Sequence, residues 1–495
     1  MAPTGQKRRS FKSQAVILFT LSTLVYVAFH FRAQTQRALT RLPYLNADAE
    51  EEQQQHQPTV EESTSLQLSI PSTLYPPEVG DAQTRRWMDP SEADWVRLHR
   101  CLLHNTCGPN QLKVVLVQSM YFRNALRGDL DGEEIWAMSA IEAMANLGYT
   151  VLYVDSLRDM VRIYQFFPSL VRIAIVNDWD AFACWKDTEN CLRSEHNPFG
   201  IPGYKLISFY FWTFPRHPLG PRWIISPEPY QLQLPGEFPS NNTYLGYSIE
   251  KTCRSTKFVP AHERPASPPQ AWILAKYFMY FFPEKDFAWS KEILDDVAAA
   301  TGVRFGMAIR EPPEPMTEEQ KERIPLYLPE EAHYVDLHRL DQAHFLYQLT
   351  QSRVVIGIGR PTISPTPWNA LCLGVPFINV VTEFDDEHPD DKTKWKTQHP
   401  ITAVLGPPMV YNVRKGDKQG LIDAVRAALD NPIDSFVPER MTLPSIETRM
   451  AALVDNDWEA EERALLRECR EPCGCTEPCD VLAQGIPWHV EVGGV

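Results

Sequence analysis

Three kinds of hydrophobic pattern follow one another along the chain. Residues 15–31, AVILFTLSTLVYVAFHF, are apolar on every side and uncharged, and Lys7, Arg8, Arg9 and Lys12 precede them. A buried core helix would be amphipathic, and a cleaved signal peptide would end in a small-residue cleavage site. The run is near the lower length limit for a membrane span, so a signal anchor is expected, with residues 1–14 cytoplasmic. Residues 32–86 lose all periodicity. Their acidic, Gln- and Pro-rich stretch AEEEQQQHQPTVEESTS reads as a disordered stem.

From residue 87 short apolar runs alternate with helical spacing. Residues 87–107 predict a helix and a Cys-closed loop, and 112–118 (LKVVLVQ) a buried strand. A loop with Gly128 and Gly132 leads to a helix over 133–147, stopped by Gly148. Strands over 149–154 and 170–176 flank a helix over 157–167. Further strands are expected at 205–212 and 223–226, and a loop over the Pro- and aromatic-rich 213–240. A second series begins with a strand over 271–278, a helix over 286–301 and a strand over 303–307. Residues 311–330 read as a surface excursion. A helix over 341–350, a strand over 353–358, a helix over 367–373, a strand over 375–381 and a helix over 420–429 complete it. Each series is the signature of a parallel sheet covered on both faces. Two α/β units are expected, 87–265 and 266–455, with a Cys-rich tail over 456–495. Ligands of such sheets sit at the C-terminal strand ends, here in the cleft between the units.

Charge and cysteine usage narrow the classes. The net charge of −15 leaves no basic excess for nucleic acid. With 42 Pro and only 23 Gly, long irregular connections are expected rather than repeated Gly-rich loops. Among the ten cysteines, Cys101 and Cys107 are close in sequence, as are Cys184 and Cys191. Cys469, Cys473, Cys475 and Cys479 lack the paired C-x2-C spacing of zinc sites, so disulfides in an oxidising lumen are favoured over zinc, with the pairing left open. Asn241-Asn242-Thr243 is a glycosylation sequon.

Four stretches offer chemistry. In 353–379, a strand ends in Gly357-Ile358-Gly359-Arg360 and a helix follows, with Thr366 as expected N-cap and Pro367 at its first position. Free backbone N–H groups and a fixed cation at a strand end suit a diphosphate; the bland alternative is a plain strand–loop–helix connection. In the loop before the 133–147 helix, Glu133 or Glu134 is placed to act as a general base, or merely to complement the helix dipole. Asp178-Trp179-Asp180 and Asp129-Leu130-Asp131 both match a D-x-D pattern that can hold a metal bridging a nucleotide diphosphate. Two matches in one acidic chain make that pattern a weak signal. Gln398-His399 can read a base or sugar, or be a satisfied turn. Trp368, Trp395 and the aromatic run 277–282 read as core.

Several of these stretches, in this order and spacing, resemble glycosyltransferase family 18, the family of Golgi α-1,6-mannosylglycoprotein 6-β-N-acetylglucosaminyltransferases. Thr243-Tyr244-Leu245-Gly246-Tyr247-Ser248-Ile249-Glu250 is similar to the family's aromatic-Leu-Gly segment, and Ala275-Lys276 to its Gly-Lys step. Residues 345–379 resemble its Gly-x-Gly, Pro-x-Pro and Phe-x-Asn stretch, and Gln398-His399-Pro400 its Gln-His-Pro segment. The resemblance covers about 110–455, best over 240–430. It implies a GT-B-like fold of two Rossmann-like domains facing a cleft, a UDP-GlcNAc donor, no required metal and a single-pass type II Golgi protein. It implies N-glycans on glycoproteins as acceptors and β-1,6 inverting transfer to mannose. The family's Gly-Glu step falls on Gly132-Glu133, making Glu133 the implied base and Glu134 the fallback. Lys276, Gly357, Gly359, Arg360, Thr366, Asn369, Gln398 and His399 are the implied donor residues. The chain departs where the family carries two Glu: Ile363 and Asn369 stand there, and Lys392 is nearest to a family Lys. Two alternatives remain: a metal-dependent transferase using Asp178 and Asp180 with another sugar nucleotide, and a non-catalytic Golgi glycan-binding protein.

Overall fold

The computed structural model describes residues 86–468 except 130, 212–216, 231–240 and 313. The expected anchor, the stem and the four C-terminal cysteines lie outside the described residues. Among the described residues no helix is long and apolar enough to cross a membrane.

Helix α1 (Asp89–His104) precedes the first sheet. The chain then runs through β1 (Val114–Gln118), α2 (Met120–Arg127), α3 (Gly132–Asn146), β2 (Thr150–Tyr153), α4 (Leu157–Phe166), β3 (Val171–Asn177) and α5 (Asp178–Lys186). Three short strands complete the sheet: β4 (Leu206–Phe209), β5 (Ile224–Ser226) and β6 (Thr243–Tyr244). All pair in parallel, in the order β2-β1-β3-β4-β5-β6. Val114 to Val117 are buried without alternation, as strands covered on both faces require.

The linker helix α6 (Glu250–Ser255) leads to the second sheet. Its elements are β7 (Gln270–Leu274), α7 (Lys291–Thr301), β8 (Arg304–Met307), α8 (Glu318–Arg323), β9 (Tyr334–Asp336), α9 (Gln342–Gln351) and β10 (Ser352–Gly357). There follow α10 (Thr366–Cys372), β11 (Phe377–Glu383), β12 (Lys396–Thr397), α11 (Pro400–Ala403), β13 (Val410–Arg414) and α12 (Lys418–Asp430). The parallel strands run β9-β8-β7-β10-β11-β13, with antiparallel β12 also on β11. Alternate residues divide two cores. Ile273, Ile356 and Ile378 pack with Leu294 of α7 and Val425 of α12, whereas Trp272, Val355 and Phe377 join the core of the first unit. The two units thus share one continuous apolar core.

Helices α13 (Leu443–Asp455) and α14 (Trp458–Glu468) return to the first unit, although the sequence groups residues up to 455 with the second. Asn146 of α3 donates to Glu447 at 2.7 Å, Lys113 pairs with Asp455, and Trp458 packs on Trp223. Other readings are corrected too. The loop after β1 contains α2, and Asp178-Trp179-Asp180 forms the first turn of a helix, α5, that the sequence reading did not include. The helix expected from 286 starts at Lys291, because Ser290 caps it by accepting from the Ile293 amide. Thr366 is the first residue of α10 and Pro365 its N-cap, with no side-chain cap bond. The 311–330 excursion contains α8, closed by a Thr317–Gln320 capping box. Disulfides join Cys101 to Cys107 and Cys184 to Cys191; a third, Cys253–Cys372, ties the linker to α10.

Candidate active site

The second sheet winds outward from β7 in both directions, so its crevice opens between the C-terminal ends of β7 and β10. Gly357 ends β10. A side chain there would overlap Gln398 Oε1 at 2.2 Å. Gly359 has φ of +106°, and a Cβ would meet the Asp286 carbonyl at 2.3 Å. Both positions therefore need glycine, for room at one and for backbone conformation as well at the other. Gln398 holds this loop: its Oε1 accepts from the Gly359 amide at 3.0 Å and its Nε2 donates to the Pro361 carbonyl at 3.0 Å. It is buried, so it shapes the loop instead of facing open cleft.

His399 is buried as well. Its Nε2 donates to the Ser364 carbonyl at 3.1 Å, Nδ1 has no partner, and burial pushes its pKa down to about 3. The ring is therefore neutral and braces the loop against Trp368. Thr366 is bonded to the Ser364 hydroxyl at 3.2 Å. Asn369 is buried in α10, and its Oδ1 has no hydrogen-bond partner. Ile363 has φ of +54°, a left-handed conformation that is strained for a β-branched residue. Strain of about 1–3 kcal/mol at such a position is typical of ligand loops.

Lys276 follows β7, as the crevice requires, and Arg310 follows β8. Both reach Asp131 of the opposite wall: Arg310 at 2.6 Å and Lys276 at 3.4 Å. Burial would raise the Asp131 pKa, but the Lys276 and Arg310 charges and hydrogen bonds outweigh it and hold the carboxyl below its usual range. Arg360 pairs with Asp286 at 2.9 Å. Lys392 lies on an exposed turn beside Trp395.

Asp131 directly precedes α3, so the same contact brings Glu133 to the cleft. Glu133 is half-buried, within electrostatic reach of Lys276 and Tyr280 of the second unit. A Cβ on Gly132 would lie 3.3 Å from Pro365. The helix start and the glycine loop are thus in contact. Glu134 points the other way: it is buried, accepts from Asn124 at 3.1 Å, and burial raises its pKa. Of the two carboxylates, Glu133 faces the site.

Beneath the cleft lies a network that sequence reasoning missed. Glu228, after β5, is wholly buried and accepts from Trp368 Nε1 at 3.0 Å, Tyr247 Oη at 3.2 Å and Arg440 Nη1 at 3.2 Å. Nothing in its Pro-rich surroundings marks it. Arg310 was accessible in principle, as a cation just beyond a predicted strand. The remaining residues lie elsewhere. Asp180 accepts from Asn177 at 3.0 Å at the C-terminal edge of the first sheet. Among the described residues no group of three or more His, Cys, Asp or Glu is placed to hold a metal ion. Asn241 is exposed, and Thr243 of its sequon bonds to Arg222 at 2.7 Å.

Two Rossmann-wound sheets facing one cleft, a glycine loop and cations on one wall and a carboxylate on the other, define a protein built like a sugar-nucleotide transferase. Residues 232–478 match the model of glycosyltransferase family 18, and the chain carries that family's region across its C-terminal half. It is similar to alpha-1,6-mannosylglycoprotein 6-beta-N-acetylglucosaminyltransferase A of Homo sapiens and of Rattus norvegicus. Each is 20% identical over 246 residues, covering 47% of this chain and 30% of the relative. The match thus spans under a third of those relatives. Among solved structures it is similar to sucrose-phosphate synthase from Thermosynechococcus elongatus, with TM-score 0.38, 13% identity, and 72% and 98% of the two chains covered. Thermobaculum terrenum O-GlcNAc transferase gives TM-score 0.34, 11% identity, and 82% and 79%. The architecture described above rests on this chain's own strand order, not on these values.

Proposed function

We propose that the protein is an inverting N-acetylglucosaminyltransferase that moves GlcNAc from UDP-GlcNAc to a mannose of a protein-linked N-glycan, in β-1,6 linkage. The observation that carries this reading is Glu133 on one wall of the cleft, opposite Lys276 and beside the Gly357–Gly359 loop. The donor diphosphate lies at that loop and the start of α10. Glu133 takes the proton from the mannose 6-hydroxyl as its oxygen attacks the anomeric carbon from the face opposite UDP. The bond from that carbon to the phosphate oxygen breaks, and Lys276, joined by Arg310, meets the charge left on UDP. Asn369 offers an amide to donor hydroxyls where the family has a carboxylate. No metal takes part, and the catalytic region lies in the Golgi lumen behind a single-pass type II anchor. UDP release from UDP-GlcNAc, measured with a mannose-terminated N-glycan in excess EDTA, tests this. Acceptor-dependent release is expected; release only after a divalent cation is restored would overturn the metal-free part, and none with or without metal the whole reading.

A further inference from the structure

The proposed reaction leaves the first sheet's own crevice unused. In that sheet β1 lies between β2 and β3, so connections leave it in opposite directions and a crevice opens at the C-terminal ends of β1 and β3. A cavity of about 270 Å³ occupies this place, lined by Gln118, Arg123, Asp155, Asn177, Trp179 and Asp180, among others. Trp179, in the first turn of α5, is 49% exposed, whereas Trp136, Trp272, Trp289 and Trp368 are fully buried. Its indole is thus a flat apolar surface left at the rim of a polar cavity.

The other lining groups are fixed hydrogen-bonding groups of both signs. Arg123 pairs with Asp155 at 2.6 Å. Asn177 accepts from Ser119 at 2.8 Å and donates to Asp180 at 3.0 Å. One cation against two carboxylates disfavours a phosphate or diphosphate. An exposed indole beside carboxylate and amide groups suits a neutral ring with an apolar C–H face and a rim of hydroxyls. The volume, just below the usual range of about 300–1,000 Å³ for ligand pockets, fits one ring and not an oligosaccharide. Tyr121 of α2 connects this place to the reaction. Burial, then the carboxylates of Glu133 and Asp178, raise its hydroxyl pKa, so it stands near both the base and the start of α5.

We infer that this cavity is a subsite for one neutral hexose ring of the acceptor glycan, stacked on Trp179 and hydrogen-bonded by Asp180 and the Arg123–Asp155 pair. The inference rests on the proposed transfer for the identity of the acceptor, but the site can be tested without turnover. Binding of a mannose-terminated N-glycan to the full chain is titrated for the parent and for Trp179→Ala, Trp179→Phe and Asp180→Asn, alongside UDP binding and steady-state transfer. Trp179→Ala and Asp180→Asn are expected to weaken glycan binding and raise the acceptor KM at least about tenfold, with UDP binding and kcat at saturating acceptor within about twofold; Trp179→Phe retains most of the affinity. Glycan binding that depends on Trp179 without any transfer would support the subsite and sink the proposed reaction. Transfer with acceptor KM and glycan binding unchanged in both variants would overturn the subsite and leave the reaction standing. A parent chain that binds no glycan overturns the subsite as well.

Discussion

Replacing Arg440 by Ala removes the cation that pairs with Glu228. That carboxylate is wholly buried, and burial, its largest influence, pushes its pKa up against the opposing charge of Arg440. Deleting one partner of a buried ion pair leaves an uncompensated charge, at a cost of about 3–5 kcal/mol. Arg440 keeps 26% of its side chain exposed, so water replaces part of the loss and the lower end, about 3 kcal/mol, is expected. Its guanidinium also lies 4.6 Å from the Trp368 ring centre. Losing that contact adds about 0.5–1 kcal/mol. For a folded region of this size the total corresponds to a melting temperature lower by about 4–5 °C. The pH dependence has a definite sign. A carboxyl whose folded pKa is raised contributes stability below its unfolded pKa and loses it as pH rises through the folded value. Without Arg440 that folded value rises further, so the deficit of Arg440→Ala is larger at about pH 7 than at about pH 5. Adding Glu228→Gln removes the stranded charge and is expected to recover most of the loss and flatten the pH dependence. Thermal unfolding of the parent, single and double variants at both pH values is the assay. A single-variant loss under about 1 kcal/mol, or a double variant no better than the single, would refute the reasoning.

Other outcomes are equally specific. Glu133→Gln should lower turnover by at least about 10²-fold while UDP-GlcNAc binding, read by titration, stays within about twofold; near-normal turnover would remove Glu133 as the base. Gly359→Ala puts a side chain at φ +106° against the Asp286 carbonyl and is expected to weaken UDP binding and cost at least about 1–3 kcal/mol on denaturation; a silent variant would mean that the loop moves freely. Asp131→Asn releases Lys276 and Arg310 from a half-exposed ion pair of about 0.2–1 kcal/mol. UDP should therefore bind about two- to fivefold tighter, and weaker binding would show that these cations do not face the phosphates.

Much of the fold was legible because its strands obey a local rule. Runs such as VVLVQ are buried on both faces and need no partner to be recognised, and Gly148 marks a helix end by itself. Elements whose identity depends on distant partners were not legible. Helix α2 is short and opens an otherwise loop-like stretch. Helices α13 and α14 lie beyond the second sheet in sequence but owe their burial to α3 and Trp223. The site divides in the same way. Gly357 and Gly359 sit at a strand end, where position alone suggests ligand contact, whereas Lys276 came only from the family resemblance, because the strand expected over 271–278 ends at Leu274. Gln398 and His399 read in the sequence as an exposed pair for a base or sugar, but both are buried, and their role as internal braces of the loop follows from side-chain bonds to Gly359, Pro361 and Ser364 that no spacing encodes. Glu228 and Arg440 are over 200 residues apart, and only the folded chain brings them together.

The return of α13 and α14 bears on how the chain is made. The first sheet's layer is complete only when residues 443–468 arrive, after the whole second sheet has been synthesised. A ribosome delivers the chain from its N-terminus, and a unit folds as its last packing partner emerges. The second unit is therefore, in chain order, an insertion between the first sheet and the helices that cover it, and the surface of α3 and Trp223 stays exposed while it is made. A nascent chain stopped before residue 443 is expected to engage chaperones through that surface, and one extended past 468 to lose them.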